Sequence, residues 1–232
     1  MTAQRPAIRR VLLSWSSGKD SAWCLHVLRQ RSDVEVVGLL TTIDEAADRV
    51  AMHAVRRELL ERQADAVGLA LITAELPWPC PNADYERLVG QAIAEARSRF
   101  AVDTVAFGDL YLEDIRRYRE QQLGRLGVET CYPLWQQPTA MLAQQMVAGG
   151  LRAVITCVDP KRCSSVLAGR EFDPTLLAEL PPSVDPCGEN GEFHTFAFDS
   201  PDFERPIDVK VGTQTERDGF VFADLTPITT GR

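Results

Sequence analysis

The sequence predicts an α/β fold, with a parallel sheet covered by helices on both faces and a smaller mixed α/β part after it. Short apolar, β-branched segments alternate with segments of helical periodicity from Val11 to about Leu126, which is the pattern of strands joined by crossover helices. After Gly127 this alternation stops. The chain has 232 residues, of which 45% are hydrophobic, and this is enough for one large domain or two small ones.

Strands and helices alternate in the first half of the prediction. The strands are expected at Val11–Trp15, Val34–Thr42, Leu69–Glu75 and Asp103–Leu110. The helices are expected at Ser21–Arg31, Met52–Val67, Asn82–Phe100 and Glu113–Leu126. Gly68 suits the position after a helix end, and Asn82 suits a helix cap. A parallel sheet of this kind binds ligands beyond the carboxyl ends of its strands.

The second half is expected to form a separate part. A helix capped by Thr139 should run to Ala148, and Asp173-Pro174 should open a short helix that Pro181-Pro182 closes. Strands are expected at Arg152–Val158, Phe193–Phe198, Ile207–Val211 and Phe220–Ala223, the last two forming an antiparallel hairpin. We therefore expect one domain over residues 1–128 and a second over residues 129–232.

Charge and cysteine usage argue against several classes of protein. The 25 basic and 33 acidic residues give a net charge of −8, which argues against a broad nucleic-acid-binding face. No apolar run approaches the length of a membrane span or an export signal, so a soluble, cytoplasmic protein with no membrane partner is expected. The six cysteines contain no Cys-x-x-Cys pair, which predicts free thiols rather than a zinc site.

The strongest local signal is the run Ser14-Trp15-Ser16-Ser17-Gly18-Lys19-Asp20-Ser21, between the first predicted strand and the first predicted helix. A helix N-terminus presents unpaired N–H groups and the positive end of the helix dipole, and small residues let an anion come close. The serine hydroxyls add donors and Lys19 adds charge. The run therefore predicts a phosphate site, the alternative being a serine-rich turn with an aspartate cap.

Two better-known phosphate motifs do not fit this run. A Walker loop needs a glycine where Leu13 stands and a serine or threonine where Asp20 stands. A dinucleotide-binding fingerprint needs several glycines, whereas the run contains only Gly18.

A second cluster of polar groups lies near the C-terminal end. Glu189, Glu192 and His194 fall within six residues, and Gly188 and Gly191 allow a sharp bend there. A carboxylate at this bend could orient ammonia or ammonium or hold magnesium, and the histidine could act as an acid or base. The alternative is a solvated turn with a structural histidine.

Single polar residues elsewhere in the chain are also site candidates. Asp109 follows a predicted strand, where it is either a helix cap or an active-site group. His53, on a predicted helix, is a surface residue, a cap or a substrate contact. Arg116 is expected to pair with Glu120 one turn away, while an arginine of this helix could also reach a phosphate.

Other aromatic side chains are expected to be structural. Burial is favoured over a pocket edge for Trp78 and Trp135, both beside prolines, and His26 lies within a predicted helix. The chain has three histidines and no His-x-x-x-His pair, so a transition-metal site is not expected.

The serine-rich run resembles the Ser-Gly-Gly-x-Asp-Ser loop of the PP-loop (N-type) ATP pyrophosphatases. Within that superfamily, further motifs in the same order make the chain similar to the diphthine–ammonia ligase family. These motifs are Gly18-Lys19-Asp20-Ser21, Thr41-Thr42, Met52-His53, Gly108-Asp109 and the run Cys187–Thr195.

The resemblance implies a sheet like that of the adenine-nucleotide α-hydrolases, and an ATP-dependent ligase that adenylates a small-molecule or protein-linked carboxylate and aminates it with ammonia. The implied ATP or pyrophosphate ligands are Trp15, Ser16, Ser17, Gly18, Lys19, Asp20, Ser21, Thr41, Thr42, Gly108 and Asp109, with Thr41-Thr42 near adenine. The implied catalytic or substrate-binding residues are His53, Arg116, Glu189, Asn190, Glu192 and His194. ATP and Mg²⁺ are the implied cofactors, the magnesium arriving on ATP near Asp20. A homodimer is a further expectation.

The chain departs from the family pattern at several positions. Ser17 replaces a glycine of the loop, which gives the backbone less freedom for a positive φ. Asn190 and Phe193 stand where the ligases usually carry glycine and tyrosine, and Leu112-Glu113-Asp114 differs from their serine-tyrosine pattern. A tRNA-modifying enzyme of the same superfamily and a nucleotide sensor without catalysis are the alternatives, the former disfavoured by the net charge.

Overall fold

The computed structural model describes residues 8–228, which form two β-sheets with helices packed against them. The strands of the first sheet are β1 (Arg9–Ser14), β2 (Val34–Asp44), β3 (Arg49–Val50), β4 (Ala70–Leu76), β5 (Thr104–Ala106) and β6 (Glu129–Cys131). Its helices are α1 (Lys19–Arg29), α2 (Arg57–Val67), α3 (Asn82–Phe100) and α4 (Glu113–Arg125). The parallel strands run in the order β4-β2-β1-β5-β6, and β3 pairs antiparallel with β2.

Alternating side chains of β1 show why both faces of this sheet are covered. Leu12 points into an apolar cluster with residues of α3 and α4, whereas Val11 and Leu13 belong to a second cluster with residues of α1 and α2. Successive side chains of a strand face opposite sides of the sheet, so each side has its own buried layer. The predicted α/β class with a doubly covered parallel sheet is confirmed.

The second sheet is antiparallel and has the strand order β8-β7-β10-β9. Its elements are α5 (Thr139–Ala148), β7 (Arg152–Val158), a short 3₁₀ turn (Ser165–Leu167), α6 (Pro174–Glu179), β8 (Phe193–Asp199), β9 (Val209–Arg217) and β10 (Phe220–Pro227). The predicted hairpin is confirmed, with longer strands than expected. Residues of β7 and β8 share one apolar cluster with α1 and α2, so the second part packs directly on the first.

The predicted helix over Met52–Val67 is wrong at its beginning. The helix starts at Arg57, and a turn precedes it in which Met52 and Ala54 have φ of +64° and +55°. Residues with positive φ cannot continue a right-handed helix. His53 therefore lies in a turn, not on a helix.

Smaller corrections concern strand lengths and caps. The strand after Asp103 ends at Ala106, because Gly108 turns away toward α1, where a Cβ on it would lie 3.0 Å from the carbonyl oxygen of Asp20. The three-residue strand β6 was not predicted. Prolines, not Asn82 and Thr139, precede the first turns of α3 and α5.

Two other expectations are met. Asp173 caps α6 by accepting a hydrogen bond from the Leu176 amide. All six cysteines are free thiols. Among the residues that the structure describes, no helix is long and apolar enough to cross a membrane.

Candidate active site

A cavity of about 250 Å³ lies at the carboxyl ends of β1 and β5, against the loop that enters β8. Nine of the candidate ligand, catalytic or substrate-binding residues line it: Ser16, Lys19, Asp20, Ser21, His53, Gly108, Asp109, Glu189 and His194. The lining also contains Ser14, Arg119, Cys187, Gly188, Gly191, Phe193 and Thr195. The two clusters of polar groups, far apart in the sequence, therefore form opposite walls of one site.

The serine-rich loop is held from two sides. The carbonyl of Ser17 accepts hydrogen bonds from the amide of Ala197 in β8, at 2.9 Å, and from Nε2 of Gln63 in α2, at 2.9 Å. Oε1 of Gln63 in turn accepts from the indole N–H of Trp15 at 2.8 Å. Gln63 is fully buried, so this network fixes the loop in the apolar interior.

Ser17 adopts the left-handed conformation, with φ of +69°. Serine has less freedom for a positive φ than the glycine of the loop that this run resembles, and the fold imposes that conformation nonetheless. The Ser17 hydroxyl is buried without a hydrogen-bond partner. Both features cost free energy, so this loop is a strained segment.

The N-terminus of α1 faces the cavity. A Cβ at Gly18 would lie 3.0 Å from Cε1 of His53 and 3.1 Å from the carbonyl oxygen of Thr195, so glycine permits this close packing. Oγ1 of Thr195 accepts from the amide of Lys19 at 3.0 Å. Among the hydrogen bonds of residues 8–228, none uses the amides of Asp20 and Ser21. These two N–H groups are free to bind an anion.

Lys19 is the buried cation of the site. Its Nζ lies 2.8 and 2.9 Å from the two carboxylate oxygens of Asp20 and also donates to the carbonyl of Cys187. Burial lowers the pKa of Lys19, but Asp20, Cys187 and Glu189 together outweigh burial and the net pKa is raised. The ammonium is therefore charged and bridges the two walls.

Asp109 and Arg119 form an ion pair at the cavity. The guanidinium of Arg119 also lies over the Phe107 ring, 4.2 Å from its centroid. Burial raises the pKa of Asp109, and Arg119 opposes that shift. Asp109 is thus a cavity residue, and Arg119 is the arginine of α4 that reaches the site.

Arg116, the arginine chosen from the sequence, does not line the cavity. Its guanidinium lies over the rings of Tyr132 and Trp135, at 4.8 and 4.7 Å from their centroids. Its Nε donates to Glu120 at 2.7 Å, as predicted for this pair. The one-turn offset between Arg116 and Arg119 decides which of them reaches the cavity, and the sequence carries no signal for it.

Glu189 is the acidic group of the second wall. Its Oε1 accepts from the amide of Leu110 at 2.8 Å. Burial raises the pKa of Glu189 to about 7, and nearby Asp20 and Asp109 add to that shift. A carboxylate with this pKa can take up or release a proton near neutral pH.

Glu192 and Asn190 stay outside the cavity. Glu192 is buried and accepts from the amide and side chain of Asn190, at 3.0 and 3.1 Å, and from the amide of Asp185 at 3.1 Å. These bonds lie within one loop. Glu192 and Asn190 therefore hold the shape of the loop that presents Glu189.

The two histidines of the site face each other, with ring centroids 4.6 Å apart. Nδ1 of His53 lies 3.1 Å from the carbonyl oxygen of Thr195 and donates to it. Burial lowers the pKa of His53 to about 4 and that of His194 to about 3. Both rings are therefore neutral at pH 7, and Nε2 of His53 is an acceptor.

The remaining candidate residues are near the loop but not in the cavity lining. They are Trp15, Ser17, Gly18, Thr41 and Thr42. Oγ1 of Thr41 donates to the Trp15 carbonyl at 2.7 Å, and the Thr42 carbonyl accepts from Ala51 at 3.1 Å. The turn before α2 thus covers the end of β2.

Structural roles are also settled for three aromatic residues. Trp78 is 71% exposed, so the expectation of burial was wrong for it. Trp135 is half-buried beside Arg116. His26 is structural as predicted, with Nδ1 2.8 Å from Asp202.

Two family models match the chain. The diphthamide synthase N-terminal domain matches residues 9–130, and the diphthamide synthase C-terminal domain matches residues 138–225. Each match contains the residues of one cavity wall: the first contains the serine-rich loop, and the second contains Glu189 and His194.

Curated relatives carry a single name. A "Diphthine--ammonia ligase" of Danio rerio is 28% identical over 221 residues, which cover 85% of this chain and 85% of the relative. One of Rattus norvegicus is 29% identical over 242 residues, 93% of this chain and 88% of the relative. One of Schizosaccharomyces pombe is 26% identical over 218 residues, 85% of this chain but 36% of the relative.

Proposed function

The chain belongs to the diphthamide synthase family and is an ATP-dependent carbon–nitrogen ligase of that family, and from this premise we propose that it forms an amide through an acyl adenylate. A carboxylate oxygen of the substrate attacks the α-phosphorus of ATP, and the bond to the β-phosphate breaks. Pyrophosphate leaves. Ammonia then attacks the acyl carbon, the carbon–oxygen bond to the phosphate breaks, and AMP leaves with the amide as the other product.

One observation carries this proposal: the free end of α1 and the Glu189 wall enclose the same cavity. The amides of Asp20 and Ser21, the Ser16 hydroxyl and the Lys19 ammonium are donors suited to a polyphosphate. Stabilising the departing pyrophosphate lowers the barrier to attack at the α-phosphorus. ATP therefore fits the donors present on this wall.

Glu189 has the properties of a base for the second step. Its carboxylate lines the cavity, and the pKa of about 7 lets it accept a proton from the ammonium or from the nitrogen as it attacks. The neutral imidazoles of His53 and His194 can accept hydrogen bonds without adding positive charge. We assign proton transfer to Glu189 and nucleophile orientation to the two histidines.

Magnesium fits this site as a companion of ATP. Among residues 8–228, no group of three His, Cys, Asp or Glu side chains could hold a metal ion by itself. Two of the three cavity carboxylates are already paired, Asp20 with Lys19 and Asp109 with Arg119. Mg²⁺ is usually held by one or two carboxylates together with substrate phosphates and water, so we propose Asp20 as the carboxylate that faces an ion brought by ATP.

The names of the relatives point to diphthine and ammonia as substrates, and we propose substrates of that type for this chain. The adenine position near Thr41 and Thr42, the homodimer and the cytoplasmic location stay predictions.

The ATP affinity of variants tests whether the serine-rich loop and Lys19 bind the polyphosphate. Lys19→Met should weaken ATP binding about tenfold or more, because it removes the buried cation, whereas Lys161→Met, at an exposed lysine, should leave affinity unchanged. If Lys19→Met does not fold, Ser16→Ala, which removes a hydroxyl of the cavity lining, replaces it, with a weaker loss expected in the same direction. Unchanged affinity in a folded Lys19→Met or Ser16→Ala protein would overturn the proposal.

A further inference from the structure

Gln63 of α2 is fully buried and joins three elements through its side-chain amide. Its Oε1 accepts a hydrogen bond from the indole N–H of Trp15, directly after β1, at 2.8 Å. Its Nε2 donates to the carbonyl oxygen of Ser17 in the serine-rich loop at 2.9 Å and to that of Ala197 in β8 at 2.6 Å. A glutamine amide has two N–H donors, so both of them are used here.

The bonds to the Ser17 carbonyl orient the backbone of the loop. This carbonyl accepts from Nε2 of Gln63 and also from the amide of Ala197 at 2.9 Å. In a trans peptide the carbonyl and the following N–H point in opposite directions. The N–H of Gly18 therefore points away from Gln63, and it lies 3.4 Å from Oγ of Ser16, a residue of the cavity lining.

Ser17 is held in a conformation that serine disfavours. Its φ is +69°, and its hydroxyl is buried without a hydrogen-bond partner among the described residues. A non-glycine residue in the left-handed region is strained, and such strain persists only where surrounding contacts hold it. The bonds from Gln63 and Ala197 to the Ser17 carbonyl are contacts of this kind.

Gln63 itself does not line the cavity of the candidate active site. Its three partners are the Trp15 indole and two backbone carbonyls, and none of these residues belongs to the cavity lining either. An effect of Gln63 on a ligand in the cavity therefore has to pass through the loop.

We propose that Gln63 is a positioning residue for ATP: its bond to the Ser17 carbonyl keeps the serine-rich loop in the conformation that binds the phosphates. This inference rests on the proposed function, which assigns the phosphates to this loop. Without the Gln63 amide, Ser17 relaxes from its positive φ, and the Gly18 N–H is no longer held toward the cavity. A glycine at position 17 adopts the left-handed conformation without this cost, so a loop with glycine there keeps its shape without Gln63.

The ATP affinity of Gln63→Met tests this role. Methionine is similar in length to glutamine but has no donors, so calorimetric titration should show an affinity about tenfold weaker, roughly the cost of a serine in the left-handed region. Adding Ser17→Gly should restore the affinity to within about twofold of the wild type. A merely structural role of Gln63 predicts no such rescue in proteins that circular dichroism shows to be folded. Gln122→Met, at another buried glutamine, in α4, should leave the affinity unchanged.

Trp15→Phe is the second variant, used if Gln63→Met does not fold. It removes the indole N–H that anchors Oε1 of Gln63, so a smaller loss of ATP affinity is expected, again reversed by Ser17→Gly. Wild-type affinity in the folded Gln63→Met or Trp15→Phe protein would show that Gln63 does not act on the loop, and so would a loss that Ser17→Gly does not reverse. In either case Lys19→Met still weakens ATP binding if the proposed function is right, whereas failure of the proposed function leaves the affinity of Lys19→Met unchanged as well.

Discussion

The imidazole rings of His53 and His194 lie with their centroids 4.6 Å apart, although one follows β3 of the first sheet and the other belongs to β8 of the second. Burial keeps both rings neutral, with the pKa of His53 at about 4 and that of His194 at about 3. The contact joins the two parts of the chain at the candidate active site. It also makes the stability of the protein depend on pH.

Acid should destabilise the protein through these histidines. An unfolded histidine takes up a proton near pH 6.5, whereas the folded rings resist protonation until about pH 4 and 3. The unfolded chain therefore binds more protons below pH 6.5, and the free energy of unfolding falls as the pH is lowered from 6.5 toward 4.

Urea unfolding at pH 7 and pH 4.5 measures this effect. The wild type should lose on the order of 1–2 kcal/mol per histidine between these pH values, and His194→Asn should lose less. Equal pH dependence in His194→Asn and the wild type would contradict the neutral pair.

Ser17→Gly should stabilise the fold. Ser17 has φ of +69° and a buried hydroxyl without a partner, and glycine removes both costs, for a gain of about 1 kcal/mol. Ser16→Gly is the matched control, because Ser16 has no positive φ and glycine there only adds chain entropy. Denaturant unfolding measures the free energy of unfolding of each variant, provided that the m-value is unchanged. A loss of stability in Ser17→Gly would show that the loop is not strained.

Two arginines of one helix should behave differently. Arg119→Gln leaves the Asp109 carboxylate without its partner at the cavity and should weaken ATP binding about tenfold. Arg116→Gln removes a guanidinium stacked on Tyr132 and Trp135 outside the cavity and should change ATP affinity less than about twofold. Calorimetric titration with ATP compares the affinities of the two variants. Equal losses of affinity would show that Arg119 has no particular role in ATP binding.

Glu189→Gln should separate the two chemical steps. The amide side chain cannot accept a proton, so amide formation should fall about a hundredfold or more, while pyrophosphate-releasing adenylation should change little. In the wild type, at a constant concentration of free ammonia, the rate of amide formation should rise with pH around 7, following the pKa of Glu189, and the variant should lack this rise. Glu61→Gln, at an exposed position of α2, is the control. A rise with pH that persists in Glu189→Gln would assign the base elsewhere.

The position of the serine-rich loop beside the cavity could be predicted from the sequence because its signal is local. An apolar strand, a small polar loop and a helix follow one another within residues 9–29, and that order by itself places the loop at the carboxyl edge of the sheet. The acidic loop with Glu189 could also be predicted from local spacing. The sequence could not show that Glu192 is buried outside the cavity, because only tertiary contacts distinguish the two acids.

The missed features depend on contacts between distant residues. Methionine and alanine give no sign of a positive φ, so the turn that carries His53 into the cavity was predicted as helix. Thr195 of β8 holds the first turn of α1, because its hydroxyl accepts a hydrogen bond from the amide of Lys19. The two residues are far apart in the sequence. Trp78 is exposed, whereas the large apolar side chain of tryptophan favours burial.

The identity of the phosphorus products tests the central claim most directly. Phosphorus-31 NMR of the protein with ATP, magnesium, ammonium and a diphthine-bearing substrate should show AMP and pyrophosphate appearing in equal amounts, and Lys19→Met should slow both together. Appearance of ADP and orthophosphate would mean that the bond to the γ-phosphate breaks, and would contradict an acyl adenylate formed on this loop.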